Sequence, residues 1–130
     1  YDKRQRQIIM ATITSKLTLD STTVSANETL GLSVVDTLTT TSPSVGLSQV
    51  ILTTATTDLV PTSSSAVVYF YAKNTDSTNT VVLETITGTQ AFADLAPGEF
   101  CFFPVKGLMG VRAKSAASTA VLEYAYFTKG

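Results

Sequence analysis

The sequence predicts an all-β protein, an antiparallel β-sandwich or jelly roll of eight or nine short strands. Three observations lead to this prediction. Apolar and polar residues alternate with a period of two along most of the chain. Clusters of turn-forming residues separate the alternating segments. No segment keeps the hydrophobic period of an amphipathic helix for more than two turns.

The composition indicates one globular domain with neutral sheet faces. The chain has 130 residues, 44% of them hydrophobic and only 15% charged, while Thr and Ser number 23 and 13. Threonine is β-branched and favours strands. Faces coated with hydroxyls suit contact with another protein, because burying a hydroxyl costs less than burying a charge; ordinary solvated sheet surface is the alternative. A net charge of −1 and the absence of a long apolar run predict no nucleic-acid or membrane partner.

The first residues differ from the rest and are predicted to form a basic arm over residues 1–11, ahead of a sandwich domain over residues 12–130. Lys3, Arg4 and Arg6 supply a third of the nine basic residues. As a native arm they are predicted to bind an acidic partner. Because Met10 has the form of a translation start, a tag remnant and an upstream start are the alternatives.

The alternation predicts the first strands. Residues 12–19 read as a half-buried strand with Ile13, Leu17 and Leu19 on one face, and residues 30–34 alternate again. The polar stretch 37–44 is predicted to be a loop or a frayed edge. A short strand is predicted over residues 49–54.

The middle of the chain predicts a central strand. Residues 66–72, AVVYFYA, are apolar on both faces, which is typical of a strand in the interior of a sheet. Residues 73–79 supply Asn, Asp and Ser for a turn, and residues 80–87 follow as the return strand. Residues 66–87 are therefore predicted to form a hairpin.

A Pro-Gly turn introduces a run of aromatic residues. Ala96-Pro97-Gly98-Glu99 matches a type II turn, which requires positive φ at Gly98. It joins a strand over residues 90–95 to one over residues 99–103, and pairing is predicted to break at Pro104. The turn is expected to set the register of a core aromatic cluster between two sheets; the alternative is an aromatic patch left for a neighbour. The predicted cluster consists of Phe100, Phe102, Phe103, Tyr124 and Tyr126. At least two of the three Phe are expected to be buried.

The C-terminal part predicts two further strands, one starting at Val111 and one over residues 120–129. In the last strand Leu122, Tyr124 and Tyr126 share a face.

The residue types argue against catalysis. The chain contains no His, so it cannot form a His-dependent triad or a His metal site. The lone Cys101 is expected to be a small buried apolar residue and fits assembly in a reducing cytosol. The carboxylates that remain as candidates for a pair are Glu84, Asp94, Glu99 and Glu123. The loop residues Asn74, Asp76 and Asn79 carry little charge for a calcium ion. The sequence therefore predicts a protein that is not an enzyme, with no catalytic residue, cofactor or metal.

Two segments resemble a known class of proteins. The segment "FADLAPGEFCFFPVKGLMGVRAKSAASTAVLEYAYFTKG", residues 92–130, is similar to the closing part of small β-sandwich virion proteins of tailed bacteriophages. There a Pro-Gly-Glu turn leads into an aromatic strand with a Pro, a Gly-Val-basic strand and a final Leu-Glu-Tyr strand. The opening "MATITSKLTL", residues 10–19, is also similar to theirs.

The resemblance implies a structural role in a virus particle. Its first form is a capsid decoration (cement) protein, made in the host cytoplasm, that binds the major capsid protein on the capsid surface and acts as a small homo-oligomer. A tail or fibre component, such as a tail-tube or adaptor protein or a receptor- or glycan-binding module, is the alternative. A hydrolytic sandwich is a third, weaker class.

Overall fold

The structure, a computed structural model, describes residues 11–21, 31–62 and 66–130. Within the described ranges the protein is all-β, with 69% of the described residues in strands and no helix. Two antiparallel sheets, consistent with a β-sandwich, confirm the predicted fold class, whereas the jelly roll stays a prediction. The described strands are β1 (Ala11–Asp20), β2 (Gly31–Leu52), β3 (Thr57–Val60), β4 (Val67–Asn74), β5 (Val81–Glu84), β6 (Ala91–Leu95), β7 (Phe100–Lys106), β8 (Val111–Ser115) and β9 (Ala120–Lys129).

The chain divides into two compact units. One comprises residues 1–41 with Gly130, and the other comprises residues 42–129. The predicted sandwich domain over residues 12–130 spans both of them. The predicted basic arm, with Lys3, Arg4 and Arg6, lies almost entirely outside the described residues.

The first unit contains a two-stranded ribbon. β1 pairs with β2 in antiparallel register, with Leu17 opposite Val34 and Leu19 opposite Leu32. Directly opposed residues share a face, so these four aliphatic side chains form one apolar stripe. All four are exposed, which corrects the expectation of a half-buried strand. The physical reason is that a two-stranded ribbon buries little without a further layer.

β2 is much longer than the sequence pattern predicted. The loop predicted over residues 37–44 is strand in the structure, and the short strand predicted over residues 49–54 is the end of the same β2. Threonine explains the difference, because its β-branched side chain fits a strand even where no apolar alternation marks one. Thr37 and Thr39 lie opposite Thr14 and Thr12 on β1.

The second unit contains both sheets of the sandwich. Its first sheet has the order β2-β9-β4-β7, with residues 42–52 of β2, and its second sheet has the order β3-β8-β5-β6. β4 pairs with β7 on one side and β9 on the other. The expectation that residues 66–72 form an interior strand is therefore confirmed.

The core fills the space between these two sheets. Phe70 on β4 and Leu83 on β5 are among the largest fully buried side chains. Alternate residues of most strands contribute to it, as the period of two requires, whereas on β3, where the register shifts, the adjacent Leu59 and Val60 both contribute. The core of the second unit includes Leu52, Leu59, Val60, Val68, Phe70, Ala72, Val81, Leu83, Leu95, Val105, Val111, Ala113, Ala120, Leu122 and Tyr126.

Six of the eight connections between consecutive described strands cross from one sheet to the other, and two of them bear on the sequence predictions. The predicted hairpin over residues 66–87 is wrong, because β4 lies in the first sheet and its successor β5 lies in the second. The Pro-Gly turn likewise leads from β6 in the second sheet to β7 in the first. Its predicted geometry is confirmed: Gly98 has φ of 86°, and the Glu99 N–H donates to the Ala96 carbonyl at 2.9 Å.

A single buried asparagine holds two of these crossings, the one after β4 and the one after β6. Asn74, at 0% exposure, ends β4. Its side-chain amide donates to the carbonyls of Asn79 and Leu95, each at 2.8 Å, and its side-chain oxygen accepts the Asp76 N–H at 2.9 Å. Its backbone N–H donates to the Glu99 carbonyl at 2.9 Å, and its carbonyl accepts the Gly98 N–H at 2.8 Å. The start of the crossing after β4 and both ends of the crossing after β6 thus meet at Asn74.

Pro104 does not end its strand, which corrects the predicted break. β7 continues to Lys106, and Pro104 lies opposite Tyr69 on β4. The Gly107 N–H donates to Ala66 on the β4 side. In an antiparallel pair such bonds recur at every second residue, so residues 103 and 105 also point toward β4 and the Pro104 nitrogen points to the outer edge. A proline is tolerated at an edge position of this kind, where it donates no hydrogen bond.

We expect Asn74→Ala to lower the free energy of unfolding by about 2–4 kcal/mol, because it leaves the carbonyls of Asn79 and Leu95 without a donor. Asn74→Asp costs more at neutral pH, since a carboxylate then faces two carbonyl oxygens. Urea unfolding monitored by fluorescence measures both. Ser77→Ala, an exposed change in the same loop, is the control and is expected to stay within about 0.5 kcal/mol of wild type. An Asn74→Ala value equal to that control would contradict the role of this residue.

Candidate functional site

The outer face of the first sheet is the strongest candidate for a functional surface. On β4 the side chains of Val68, Phe70 and Ala72 enter the core, so Tyr69 and Tyr71 point outward. We call this surface the aromatic face. Its apolar and aromatic members are Ile51, Val67, Tyr69, Tyr71, Phe100, Phe102, Pro104, Ala125 and Phe127.

Strand register brings these residues together in rows. Phe102 on β7 lies opposite Tyr71, which lies opposite Ala125 on β9. In the next row Tyr69 lies between Pro104 and Phe127. The two rows therefore form a continuous apolar band across three strands.

Burial and ring geometry show that the band is packed within itself. Tyr69 is only 9% exposed, yet it does not belong to the core cluster. Its ring lies 6.4 Å from that of Phe102, with the two planes 21° apart. Neighbours on the same face thus cover Tyr69, while Phe100 at 64% and Ile51 at 68% are left to solvent. The side chain of Ile51 points outward because its neighbour Leu52 is buried in the core.

The prediction that at least two of the three Phe are buried is wrong. Phe100 and Phe102 are 64% and 38% exposed and do not belong to the core. Phe103 alone packs inward, edge-on to Phe70 with ring centroids 6.0 Å apart. Strand alternation splits the run, because one face of β7 meets the core and the other has no layer above it in the described structure. Tyr124 and Tyr126, the other members of the predicted cluster, do pack in or against the core.

The aromatic face extends over four strands of the first sheet. Four strands about 4.8 Å apart, each about seven residues long at about 3.3 Å per residue, cover roughly 450 Å². The exposed apolar patch is smaller than this footprint, because Tyr69 and Ala125 are buried and charged side chains share the face; the largest apolar patch of a soluble monomer is nonetheless often functional. The exposure of Phe100 and Phe102 favours the alternative interpretation of the Phe run, an aromatic patch left for a neighbour.

Charged residues border the band at both ends. Lys73 lies between Phe100 and Glu123 in the row beyond Tyr71. The Tyr71 hydroxyl donates to the Glu123 carboxylate at 3.0 Å. Burial raises the pKa of Tyr71, and the hydrogen bond to Glu123 raises it further, so the hydroxyl stays protonated at neutral pH.

Lysines border the other end of the band. Lys106 on β7 lies opposite Val67, and Lys129 is the last residue of β9, next to Thr128, which lies opposite Val68. Both lysine side chains are exposed.

Of the other candidate carboxylates, Glu84 and Glu99 have structural partners, while Asp94 is exposed on β6 opposite Val82. Glu84 is nearly buried on the second sheet, where Arg112 Nη2 approaches Oε1 at 3.0 Å and Lys114 Nζ approaches Oε2 at 3.1 Å. The bond from Lys114 is the main cause that lowers the pKa of Glu84. Glu99 accepts the N–H of Ala96 at 2.7 Å and so closes the Pro-Gly turn. These contacts assign both groups to stability.

The polar side chains of the loop after β4 likewise bond to backbone groups. Asp76 accepts the N–H groups of Thr78 at 3.0 Å and Asn79 at 2.8 Å, and these bonds lower its pKa. The Asn79 amide donates to the Thr119 carbonyl at 2.7 Å. In the described part of the chain, no cluster of acidic or Cys residues could hold a metal ion.

Cys101 lies on the inward side of β7. It is half-buried and packs against the core. Burial raises the pKa of its thiol to about 11. The thiolate is therefore scarce at neutral pH, which supports the expected apolar role.

A small cleft opens beside the Phe103 ring. It measures about 210 Å³, and Phe92, Phe103, Val105 and Met109 are among its lining residues. The Phe92 ring contacts Phe103 edge-on at 5.8 Å. Thr85 and Lys106 also line it, but the other lining residues carry no polar side chain, so the cleft is a gap at the margin of the core.

Comparison with known proteins adds no identification. A scan against protein-family models finds no match to this chain, and a search of curated proteins finds no similar sequence. Within the described ranges, no helix has the length and apolar character needed to span a membrane.

Phe70→Ala is expected to lower the free energy of unfolding by about 3–5 kcal/mol, because it leaves a cavity in the core. Phe100→Ser is expected to change it by less than about 1 kcal/mol, because the Phe100 ring is mostly in water. Urea unfolding of both variants distinguishes the two faces of the sheet. A loss for Phe100→Ser that approaches the loss for Phe70→Ala would show that the outer face is covered in solution.

The lowered pKa of Glu84 predicts an acid-dependent loss of stability. A carboxyl group whose pKa is depressed on folding stabilises the protein above its unfolded pKa of about 4.3, and this contribution disappears as pH falls through the folded value. We expect Glu84→Gln to remove that part of the loss, and Lys114→Met to reduce it. Unfolding free energies measured between pH 7 and about 3 test this; parallel profiles for wild type and Glu84→Gln would contradict it.

Proposed function

We propose that this chain is a non-enzymatic virion structural protein, a capsid decoration (cement) protein that stabilises a bacteriophage head by binding coat subunits. The observation that carries the proposal is the aromatic face, with Phe100 left 64% exposed beside a packed apolar band. Covering such a face with a partner removes apolar surface from water, which is favourable. The resemblance to virion proteins of tailed bacteriophages is the reason for proposing a phage particle as the place where the chain binds.

The edge of the sheet supports docking by the face rather than by strand addition. β7 is the last strand of the first sheet, and an edge strand is the place where a partner strand would add. Pro104 interrupts the row of donors on that edge. A partner therefore gains more by covering the aromatic face than by extending the ladder.

The β1–β2 ribbon supports the expected homo-oligomer. Its apolar stripe of Leu17, Leu19, Leu32 and Val34 is exposed. A two-stranded ribbon is marginally stable in water and gains from a further apolar layer. Contact between copies of the chain through this stripe is part of the proposal and is independent of the aromatic face.

A tail or fibre component that binds a receptor or glycan is the second candidate. The observation in its favour is the pair of rings of Tyr69 and Phe102, whose planes lie 21° apart on an open face. Flat aromatic surfaces can stack on the apolar faces of sugar rings as well as on protein side chains. A sugar would also need polar loop residues around the rings to orient it. The band is instead mainly apolar, which favours a protein partner.

Particles assembled without this chain are expected to form in normal numbers but to break at lower temperature or under milder osmotic shock. Particles supplied only with Phe100→Ser/Phe102→Ser chain are expected to behave in the same way and to carry fewer copies. Leu108→Ser, which removes an exposed aliphatic side chain outside the aromatic face, is the matched control and should restore full stability. Release of DNA on heating and copy number by quantitative gel analysis are the measurements.

The same particles separate the two candidates. Particles that lack the chain and remain as robust as wild type, but fail to attach to cells, would replace the decoration role with receptor binding.

A further inference from the structure

We propose that the aromatic face recognises a protein surface that is apolar at its centre and acidic at its rim. This inference rests on the proposed protein-binding role of the same face and specifies the chemistry of its partner. It follows from the placement of charge around the band, which the sequence alone does not reveal.

The face is positively charged on a chain that is negative overall. Its charged side chains are Lys73, Lys106, Lys129 and Glu123, a net charge of +2, whereas the whole chain carries −1. The rest of the protein therefore carries −3. A net positive charge around an apolar face favours a partner with acidic residues at the matching positions.

Two of these lysines are available to a partner. Lys106 and Lys129 border the band at one end, beside Val67, and neither forms an ion pair with a described residue. By contrast, Arg112 and Lys114 on the second sheet are both engaged by Glu84. Unpaired ammonium groups next to an apolar surface keep their charge for an incoming carboxylate while their stems extend the apolar contact.

Glu123 does not offset the lysines at that end. Its row of the sheet contains Lys73, and its carboxylate accepts the Tyr71 hydroxyl at 3.0 Å. The negative charge is thus confined to the opposite end of the band. An acidic group on the partner would therefore be attracted most strongly near Lys106 and Lys129.

The same charges disfavour two other occupants. Packing the face against the same face of a second copy sets the lysines against each other when like ends meet, and like charges at an interface are costly; when opposite ends meet, the lysines face the Lys73–Glu123 row, whose net charge is zero. A nucleic acid requires a dense basic surface, whereas here three lysines surround a mainly apolar band that also contains a glutamate. A different protein with acidic residues around an apolar patch satisfies both features.

The size of the effect follows from the exposure of the lysines. An exposed ion pair changes an equilibrium constant by only about 1.5- to 5-fold. Reversing both lysines replaces two attractions by two repulsions, so we expect affinity for an acidic apolar probe to fall about tenfold, with a smaller difference at high salt.

Two peptides test the preference directly. One contains Phe-Leu-Phe flanked by Glu residues, and its twin has Lys in place of every Glu. Fluorescence anisotropy is measured on the full chain at low and high salt. Wild type is expected to bind the Glu peptide about tenfold more tightly than the Lys peptide, and Lys106→Glu/Lys129→Glu is expected to remove or invert that preference.

Control variants separate charge from apolar contact. Lys16→Glu reverses a lysine on the β1–β2 ribbon and should leave the preference unchanged. Phe100→Ser/Phe102→Ser should weaken binding of both peptides by similar factors. Circular dichroism and urea unfolding confirm that each variant is folded before it is compared.

Equal binding of the two peptides by wild type, or a preference that survives Lys106→Glu/Lys129→Glu, would overturn the inference. A dimer of wild type in sedimentation that is lost in Phe102→Ser would also overturn it, because a second copy would then occupy the face. These outcomes do not involve particles, so they differ from failure of the proposed function. A chain that prefers the Glu peptide but leaves particle stability unaffected would contradict only the decoration role.

Discussion

The five hydrogen bonds of Asn74 are the constraint on which the rest of the sandwich depends. A strand that ends at the margin of a sheet can turn back beside itself or cross to the opposite sheet. At this residue the crossing is favoured, because the side chain satisfies the carbonyls of Asn79 and Leu95 and its backbone bonds to Gly98 and Glu99. Each bond contributes modestly, but leaving any of these buried groups unpaired costs about 1–3 kcal/mol. The native connection therefore wins by avoiding that penalty.

This arrangement of crossings determines where the aromatic residues lie. Because the Pro-Gly turn leads from the second sheet to the first, β7 becomes an edge strand beside β4. One face of β7 then delivers Phe103 to the core, and the other delivers Phe100 and Phe102 to the outer surface. A run of aromatic residues that looks like core material in the sequence thus supplies the core and a surface at the same time.

Local pattern predicted the strands well and their partners poorly. The last strand, Ala120–Lys129, has the bounds that alternation gave, and the apolar segment 66–72 lies in the sheet interior as expected. The hairpin over residues 66–87 was wrong because strand pairing depends on contacts between residues far apart in the chain, here Asn74 with Leu95 and Glu99. Loop composition carries no record of such contacts.

The candidate surface was predictable only in part, for a related reason. Alternation correctly separated Phe100 and Phe102 from Phe103, but it could not say which face would be covered. Coverage depends on how many layers the domain has, and the described structure has two sheets and therefore one interior. The charges around the band, including Lys106 and Lys129, were visible only as scattered residues until strand register brought them to one end of one face.

Solubility and binding place opposite demands on such a face, and the structure meets them with separate features. The face must stay apolar to bind, yet an apolar sheet with an open edge invites uncontrolled strand addition. Pro104 limits the edge of β7, and lysines at the end of the band repel a second copy of the same face. Neither feature reduces the apolar area available to a partner with the opposite charge. In the proposed role, the rim and the edge would select the partner, while the aromatic rings would supply the free energy of contact.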